Sequence, residues 1–411
     1  MVHEALSLYE ARYGILPVSV AVAIVEANTP LLALETVPLT RADGRVLGET
    51  VHSREKMPPF PASTVDGYAV LANDTTDWRT ILADVLAGRP VDQSVRTGEA
   101  ARIMTGAQLP LGADAVVMFE DTKEASNTVQ LQRSVGVGDN LRPPGIDLEI
   151  GQTVLERGTL LGPAEIGLLA TVGLMEVTVF RVPRVGVLST GDELVEPDET
   201  PHTGAIRDSN RYALLSAARE AGAEVISFGM VKDDEDAQRN QIQAALDGCD
   251  VLLTSGGVSV GSRDLIKPIL EGLGTVHFGR IALKPGKPLT FATIGGKLAF
   301  GLPGNPVSAL VTFEVFVRPA LRRMQGHNLA TRPMVDVEIE RDLTKTRDRT
   351  EYQRASVRWS DGRFIASSTG SQSSSRLLSM VGANALLVIE PGDGKVLAGT
   401  TVKALLVGAP L

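Results

Sequence analysis

From Arg184 to Leu321 the sequence alternates short apolar β runs with amphipathic helical stretches, and this alternation narrows the fold more than any other feature. The order is RVGVLST, helix 208–222, AEVISFGMV, helix 234–247, DVLLTS, helix 263–271, the β runs VHFGRIAL, PLTFATI and KLAFGL, and helix 306–324. Strands joined through helices pair in parallel, and strands apolar on both faces need helices on each side. A mainly parallel, three-layer α/β domain is expected. In such sheets ligands bind beyond the carboxyl ends of the strands, so the loops at those ends are where chemistry is sought.

Two of these loops are rich in glycine or proline. Thr254-Ser255-Gly256-Gly257-Val258-Ser259-Val260-Gly261 runs from an apolar strand toward a helix. Glycine lets the backbone approach a ligand, and a helix start offers unpaired N–H groups to an anion. A tight turn without a ligand would read the same way. The run is neither a Walker A loop nor a GxGxxG fingerprint. The second loop, Leu302-Pro303-Gly304-Asn305-Pro306-Val307-Ser308, fits Asn305 as a helix cap with Pro306 at the first helical position, so capping alone could explain it.

Carboxylates cluster at the same strand ends. Asp192 and Glu193 follow VGVLS, Asp233 follows VISFGMV, and Asp264 opens the helix after the glycine loop. Hard cations such as Mg²⁺ take one or two carboxylates together with substrate phosphates, although each acid alone could be a cap or a surface charge. Lys284-Pro285-Gly286-Lys287-Pro288 sets two ammonium groups in a proline-stiffened turn suited to an oxyanion, or to solvent.

Outside this region the chain reads as separate units. Residues 3–35 carry loosely spaced apolar residues and read as helix, divided at Pro17. From about residue 45 to 145 come short β runs (VLGETVHS, GYAVLA, DVLAG, ADAVVMFED, TVQLQRS). A helix at Pro163–Val172 is expected to pack back on the N-terminal helices. After Met324 the pattern is β again, with SSTGSQSSSR reading as a mobile loop. The expected domains are 1–45 with 146–182, 46–145, 183–326 and 327–411. Asp66, in PPFPASTVDGYAV, and Thr105, in RIMTG, each read as turn residues.

Composition removes several function classes. A net charge of −9 opposes a non-specific nucleic-acid binder. One cysteine, Cys249, allows neither a disulfide framework nor a cysteine-built metal site within one chain, and the five histidines lack metal-ligand spacing. No basic signal sequence or 20-residue apolar span is present, so a cytoplasmic protein without membrane contact is expected.

Taken in order, ASTVDGYAV, RIMTGAQLPLGADAVV, VGVLSTGDEL, IRDSN, TSGGVSVGSRDL, LKPGKPLTF and GLPGNPVSAL resemble the signature set of the molybdopterin molybdenumtransferases, the MoeA and gephyrin E-domain family. The resemblance covers about residue 30 to the C-terminus. It implies a homodimer of four-domain subunits: a helical and extended N-terminal region, a small β domain, a molybdopterin-binding α/β domain and a C-terminal β-barrel-like domain. The cleft would lie between the α/β domain of one chain and the small β domain of the other. The implied reaction is Mg²⁺-dependent insertion of molybdate into adenylylated molybdopterin with release of AMP. The molybdopterin adenylyltransferase is a candidate partner.

The same resemblance assigns Glu193, Asp233 and Asp264 to metal and nucleotide handling, with Asp192 beside them as a metal ligand, and Lys284 and Lys287 to the oxyanion. Ser255, Gly256, Gly257, Ser259 and Gly261 would bind the cofactor substrate, and Pro303, Asn305 and Pro306 would shape the cleft. Asp66 and Thr105 match functional positions of the small β domain, with Arg142 and Asp147 a charged pair nearby. The sequence departs from many relatives at Ala62-Ser63-Thr64-Val65, at Pro143-Pro144 and at Arg280. Two other functions fit parts of the pattern: molybdopterin adenylylation on a similar α/β domain, and a non-catalytic cofactor-binding scaffold.

Overall fold

The structure, a computed structural model, describes residues 14–257 and 265–411. The expected helical residues 3–13 and the site candidates Ser259, Gly261 and Asp264 lie outside the described residues.

Helix α1 (Val18–Asn28) is shorter than its apolar pattern suggests. Pro17 stands at its N-cap, and Thr29, the residue before Pro30, is extended at φ −90°, ψ 110°. A residue preceding proline is pushed out of the helical region. The remaining residues lead to strand β1 (Leu34–Pro38).

A first β unit follows, with β2 (Gly67–Val70), β3 (Trp78–Val85), β4 (Glu99–Ile103), β5 (Ala115–Met118), β6 (Thr122–Ala125) and β7 (Thr128–Leu131), in sheet order β5-β2-β4-β3-β7-β6. Alternate residues of β2 bury on opposite faces, Ala69 with Val85 and Ile103, Tyr68 and Val70 with Ile81 and Val117. The run around Val51, expected in this unit, pairs instead with Thr153–Leu155. Helix α2 (Pro163–Thr171) precedes β8 (Glu176–Phe180), which pairs antiparallel with β1. Leu169 of α2 packs with Val177, Val179 and Leu47 of this flanking unit. It does not share a cluster with α1, whose Ala21 and Val25 are buried against the α/β unit.

The α/β unit comprises β9 (Arg184–Thr190), α3 (Asn210–Glu220), β10 (Glu224–Val231), α4 (Glu235–Gly248), β11 (Val251–Ser255), α5 (Ile266–Leu273), β12 (Thr275–Arg280), β13 (Leu283–Lys284), β14 (Pro288–Ile294), β15 (Lys297–Leu302), α6 (Pro306–Thr312) and α7 (Arg318–Met324). Its sheet runs β10-β9-β11-β15-β14-β12; the first four strands are parallel and the last two antiparallel. Val251 and Leu253 bury with Leu214 of α3 and Val307 of α6, whereas Leu252 buries with Ile242 of α4 and Ile269 of α5. The helix expected over 306–324 is interrupted by wider π winding at Phe313–Val317, just before Pro319, which has no N–H for a regular helical bond.

The last unit is a sheet barrel. Strands β16 (Met334–Ile339), β17 (Thr350–Ser360), β18 (Arg363–Ser368), β19 (Ala385–Ile389) and β20 (Thr401–Leu406) run β17-β18-β16-β20-β19, and a β19–β17 pairing closes the ring. Strand β13, inside the α/β unit's sequence, pairs in parallel with β17 and so joins the two units. No helix among the described residues is long and apolar enough to cross a membrane.

Candidate functional site

Register alone brings the loops together. Thr190 pairs with Val231, Ser189 with Ser255, and Ser255 with Leu302, so β10, β9, β11 and β15 end at one edge. Because β14 is antiparallel and Thr290 pairs with Gly301, its start at Pro288 reaches that edge too. Across the edge the order is Asp233, then Asp192 and Glu193, then Ser255 to Gly257, then Pro303 to Pro306, then Lys287. Neighbouring strands lie about 4.8 Å apart. The carboxylates after β9 and the lysine before β14 are three strand spacings apart, about 14 Å.

The glycine loop is built for close approach. Gly256 has φ +95°, and a Cβ there would stand 2.3 Å from the Thr190 carbonyl oxygen. Asn210, at the start of α3, ties this loop to the next: its Nδ2 donates to Ser255 Oγ and to the Gly304 carbonyl, both at 2.8 Å. Pro306 occupies the first turn of α6 as expected, but the exposed Asn305 makes no side-chain cap bond. Capping therefore does not account for Asn305. The Val307 N–H is taken by the Ser374 carbonyl at 3.1 Å, from the barrel's serine-rich loop.

That loop, expected to be mobile, is held from beneath. The fully buried Arg354 donates through Nη2 to the Ser373 carbonyl and through Nε to Ser379 Oγ, both at 3.1 Å, while Gln372 Oε1 accepts from the Arg354 N–H at 2.9 Å. Burial lowers the pKa of this guanidinium, and its Nη1 has no partner among the described residues.

On the acidic side, Asp192 Oδ1 accepts from the Asp233 N–H at 3.1 Å, which joins the two loops. Capping of α4 falls to Asp234, whose Oδ1 accepts from the Ala237 N–H at 2.8 Å, so Asp233 is not the cap. Asp192 and Glu193 are exposed and take part in no ion pair among the described residues. The described residues hold no group of three or more metal-capable side chains. Two neighbouring oxygen donors without counter-charges nevertheless suit a hard cation that keeps water and phosphate ligands.

The two lysines differ. Lys284 is paired with the buried Glu351 of the barrel at 3.2 Å, whereas the Lys287 ammonium has no hydrogen-bond or ion-pair partner among the described residues; only its carbonyl is bonded, accepting from the Ile281 N–H at 3.0 Å.

In the first β unit, Asp66 and Thr105 meet. Asp66 Oδ1 accepts from both the N–H and the hydroxyl of Thr105, at 2.7 and 2.8 Å. The N–H first and the hydroxyl second hold the Asp66 pKa below its ordinary 3.8. Gly67 follows because a Cβ there would fall 1.9 Å from the Val117 carbonyl oxygen. Arg142 and Asp147 form an ion pair that raises the arginine pKa. Arg142 pairs with Ala62, on the strand leading toward Asp66. No hydrogen bond or ion pair among the described residues joins this β unit to the α/β edge.

Asn210, Glu351 and Arg354 were not among the expected site residues. Asn210 lay within the quoted IRDSN run, whereas Arg354 and Glu351 sit in the mixed polar sequence TEYQRASVRWS of β17, where nothing local marks them.

Comparison with known proteins bears on this assembly. The MoeA N-terminal region (domain I and II) matches residues 16–173, a probable molybdopterin binding domain matches 186–323, and the MoeA C-terminal region (domain IV) matches 336–407. The molybdopterin molybdenumtransferase of Haemophilus influenzae is 38% identical over 90% of this chain and 92% of its own length. The chain belongs to the molybdopterin molybdenumtransferase (MoeA) family. Gephyrin of Dictyostelium discoideum is 36% identical across 97% of this chain, which spans 63% of that protein. A crystal structure of a Pyrococcus horikoshii MoeA protein superposes with a TM-score of 0.81 at 29% identity, over 95% of this chain and 100% of that one. The likeness to that MoeA protein thus extends over nearly the whole chain, and the match to the MoeA C-terminal region covers the barrel.

Proposed function

We propose that this protein inserts molybdate into adenylylated molybdopterin and releases AMP, as a cytoplasmic homodimer. The observation that carries the reading is the layout of one sheet edge: Asp192 and Glu193 without an ion-pair partner among the described residues, glycine loops tied by Asn210, and the Lys287 ammonium, likewise without a partner among the described residues, in sequence across it. The glycine loops allow a flat, phosphate-bearing substrate to lie against main chain. Lys287 would draw in the molybdate oxyanion, with Lys284 beside it.

Asp192 and Glu193 would hold Mg²⁺, together with Asp264 of the undescribed segment. When bound, Mg²⁺ would neutralise charge on the substrate's phosphates. Asp66, kept ionised by Thr105, would face the edge from a second copy and orient the substrate. Partner contacts with the molybdopterin adenylyltransferase would deliver the adenylylated compound.

The test is direct. Purified protein given adenylylated molybdopterin, Mg²⁺ and molybdate should release AMP, and Glu193→Ala should suppress release while the protein stays folded. Unchanged substrate, under conditions where a MoeA relative turns over, would reject the proposal. ATP consumption with bare molybdopterin would instead favour adenylylation.

A further inference from the structure

Among the described residues the side-chain partners of the Lys284 ammonium, Glu351 and Thr346, both come from the C-terminal unit. Glu351, on β17, is only 3% exposed in its side chain and lies 3.2 Å from Lys284 Nζ. A buried carboxylate persists only where charge and hydrogen bonds satisfy it. The ion pair supplies the charge and Thr346 the hydrogen bond: its hydroxyl donates to Glu351 Oε2 at 2.9 Å and accepts from Lys284 Nζ at 3.2 Å. The backbone enforces the contact, since β13 and β17 pair in parallel with Lys284 opposite Glu351, and the Thr350 N–H donates to the Ala282 carbonyl at 3.0 Å. Lys287, three residues on, has no such partners among the described residues.

An ammonium carries three donors. One is directed at Thr346, and the ion pair holds the ammonium 3.2 Å from Glu351, so these two contacts together limit where the remaining N–H groups of Lys284 point. The charge of Lys284 is at the same time balanced by Glu351, whereas no ion pair among the described residues balances that of Lys287. We infer that Glu351 and Thr346 are positioning residues for the oxyanion step: they make Lys284 an aimed, charge-balanced hydrogen-bond donor and leave net attraction to Lys287. This rests on the proposed molybdate reading of the lysine turn. It gives the barrel a role in the chemistry beyond closing the fold.

The roles separate in a way that a purely structural contact would not. Glu351→Gln removes the balancing charge and frees Lys284. Molybdate binding should tighten about two- to fivefold, a modest gain because the Lys284 side chain is 39% exposed and its charge partly screened by solvent. The kcat for AMP release should fall about ten- to a hundredfold, because a misaimed donor costs rate rather than affinity. Glu351→Asp should recover much of the kcat. In a Lys284→Ala background Glu351→Gln should cause no further loss of kcat.

Arg354, three residues along, also feels the Glu351 charge. Thr346→Val leaves both charges in place and should lower kcat with molybdate affinity unchanged. It also serves as the deciding variant if Glu351→Gln does not fold.

The measurements are AMP release at varied molybdate, calorimetric titration with molybdate alone, and the thermal midpoint of each variant. Wild-type kcat in both Glu351→Gln and Thr346→Val, weakened molybdate binding in Glu351→Gln, or additive losses in the double variant would each overturn the inference. Should the unmutated protein release no AMP, the proposed function fails separately. The molybdate titration still decides the positioning claim: tightening in Glu351→Gln sustains it, and unchanged or weaker binding overturns it.

Discussion

The α/β sheet edge and the Asp66 turn are both candidate parts of one site, yet they are held in different ways. At the edge, loops from separate strands are cross-linked by hydrogen bonds: Asn210 spans Ser255 and Gly304, Asp192 reaches Asp233, and Ser374 closes on Val307. The Asp66 and Thr105 side chains are exposed and bonded to each other. The difference suggests that the edge is preformed by its own fold, while the turn presents a carboxylate outward and needs an opposing surface to act on.

The largest effects should come from glycines that no side chain can replace. Gly67→Ala would drive a Cβ into the Val117 carbonyl, and Gly256→Ala would do so at Thr190 with an unfavourable positive φ. Each should cost about 3 kcal/mol or more in denaturant unfolding. Equal stability to the parent at either position would show that the backbone there relaxes more easily than the close contacts imply.

Asn210→Ala comes next. It strips a partner from Ser255, which is 3% exposed, and should cost about 1–3 kcal/mol. AMP release should fall with it, because two loops lose their common anchor. Asp66→Asn should behave oppositely, with turnover lost and the unfolding midpoint little changed because the amide oxygen can still accept from Thr105, and a loss of stability as large as that of Asn210→Ala would erase the contrast between the two regions.

The smallest effect concerns titration. Thr105→Val removes the hydroxyl but keeps the N–H, which contributes more to the lowered Asp66 pKa. The Asp66 pKa should therefore rise only part of the way back to 3.8, as read by NMR of its carboxyl carbon. By sign, a carboxylate with a depressed folded pKa adds stability above its unfolded value and loses it as pH falls through the folded one. Any acid-side loss traced to Asp66 should accordingly sit below pH 3.8. A full return to 3.8 in Thr105→Val would mean that the hydroxyl dominates.

Much of the architecture was legible because strands buried on both faces write continuous apolar runs, and helices between them write amphipathic ones. The four parallel strand ends, and hence the loops after β9, β10, β11 and β15, followed from that pattern. Tertiary effects were not legible. The apolar residues past Asn28 looked helical, but Pro30 and pairing of β1 with β8 made them extended. The Val51 run looked like its β neighbours but paired with Thr153–Leu155 across about a hundred residues of sequence.

Site residues divided similarly. Asp192, Glu193 and Lys287 stand at strand ends, where position alone suggests a role. Glu351, Arg354 and the ordering of residues 368–376 depend on a buried charge meeting a distant loop, and no local propensity encodes that. The pairing of Asp66 with Thr105 also escaped sequence reasoning, since each read separately as a turn.

The central claim is that the sheet edge of one chain works with the Asp66 turn of another, and mixing two inactive variants tests it. Asp66→Asn and Glu193→Ala proteins, each unable to release AMP, are unfolded together, refolded to allow exchange of subunits, and assayed. If the regions act across two chains, mixed dimers hold one site free of both lesions, and about a quarter of wild-type turnover should return. Activity no greater than that of either parent, with mixed dimers demonstrably present, would contradict the account.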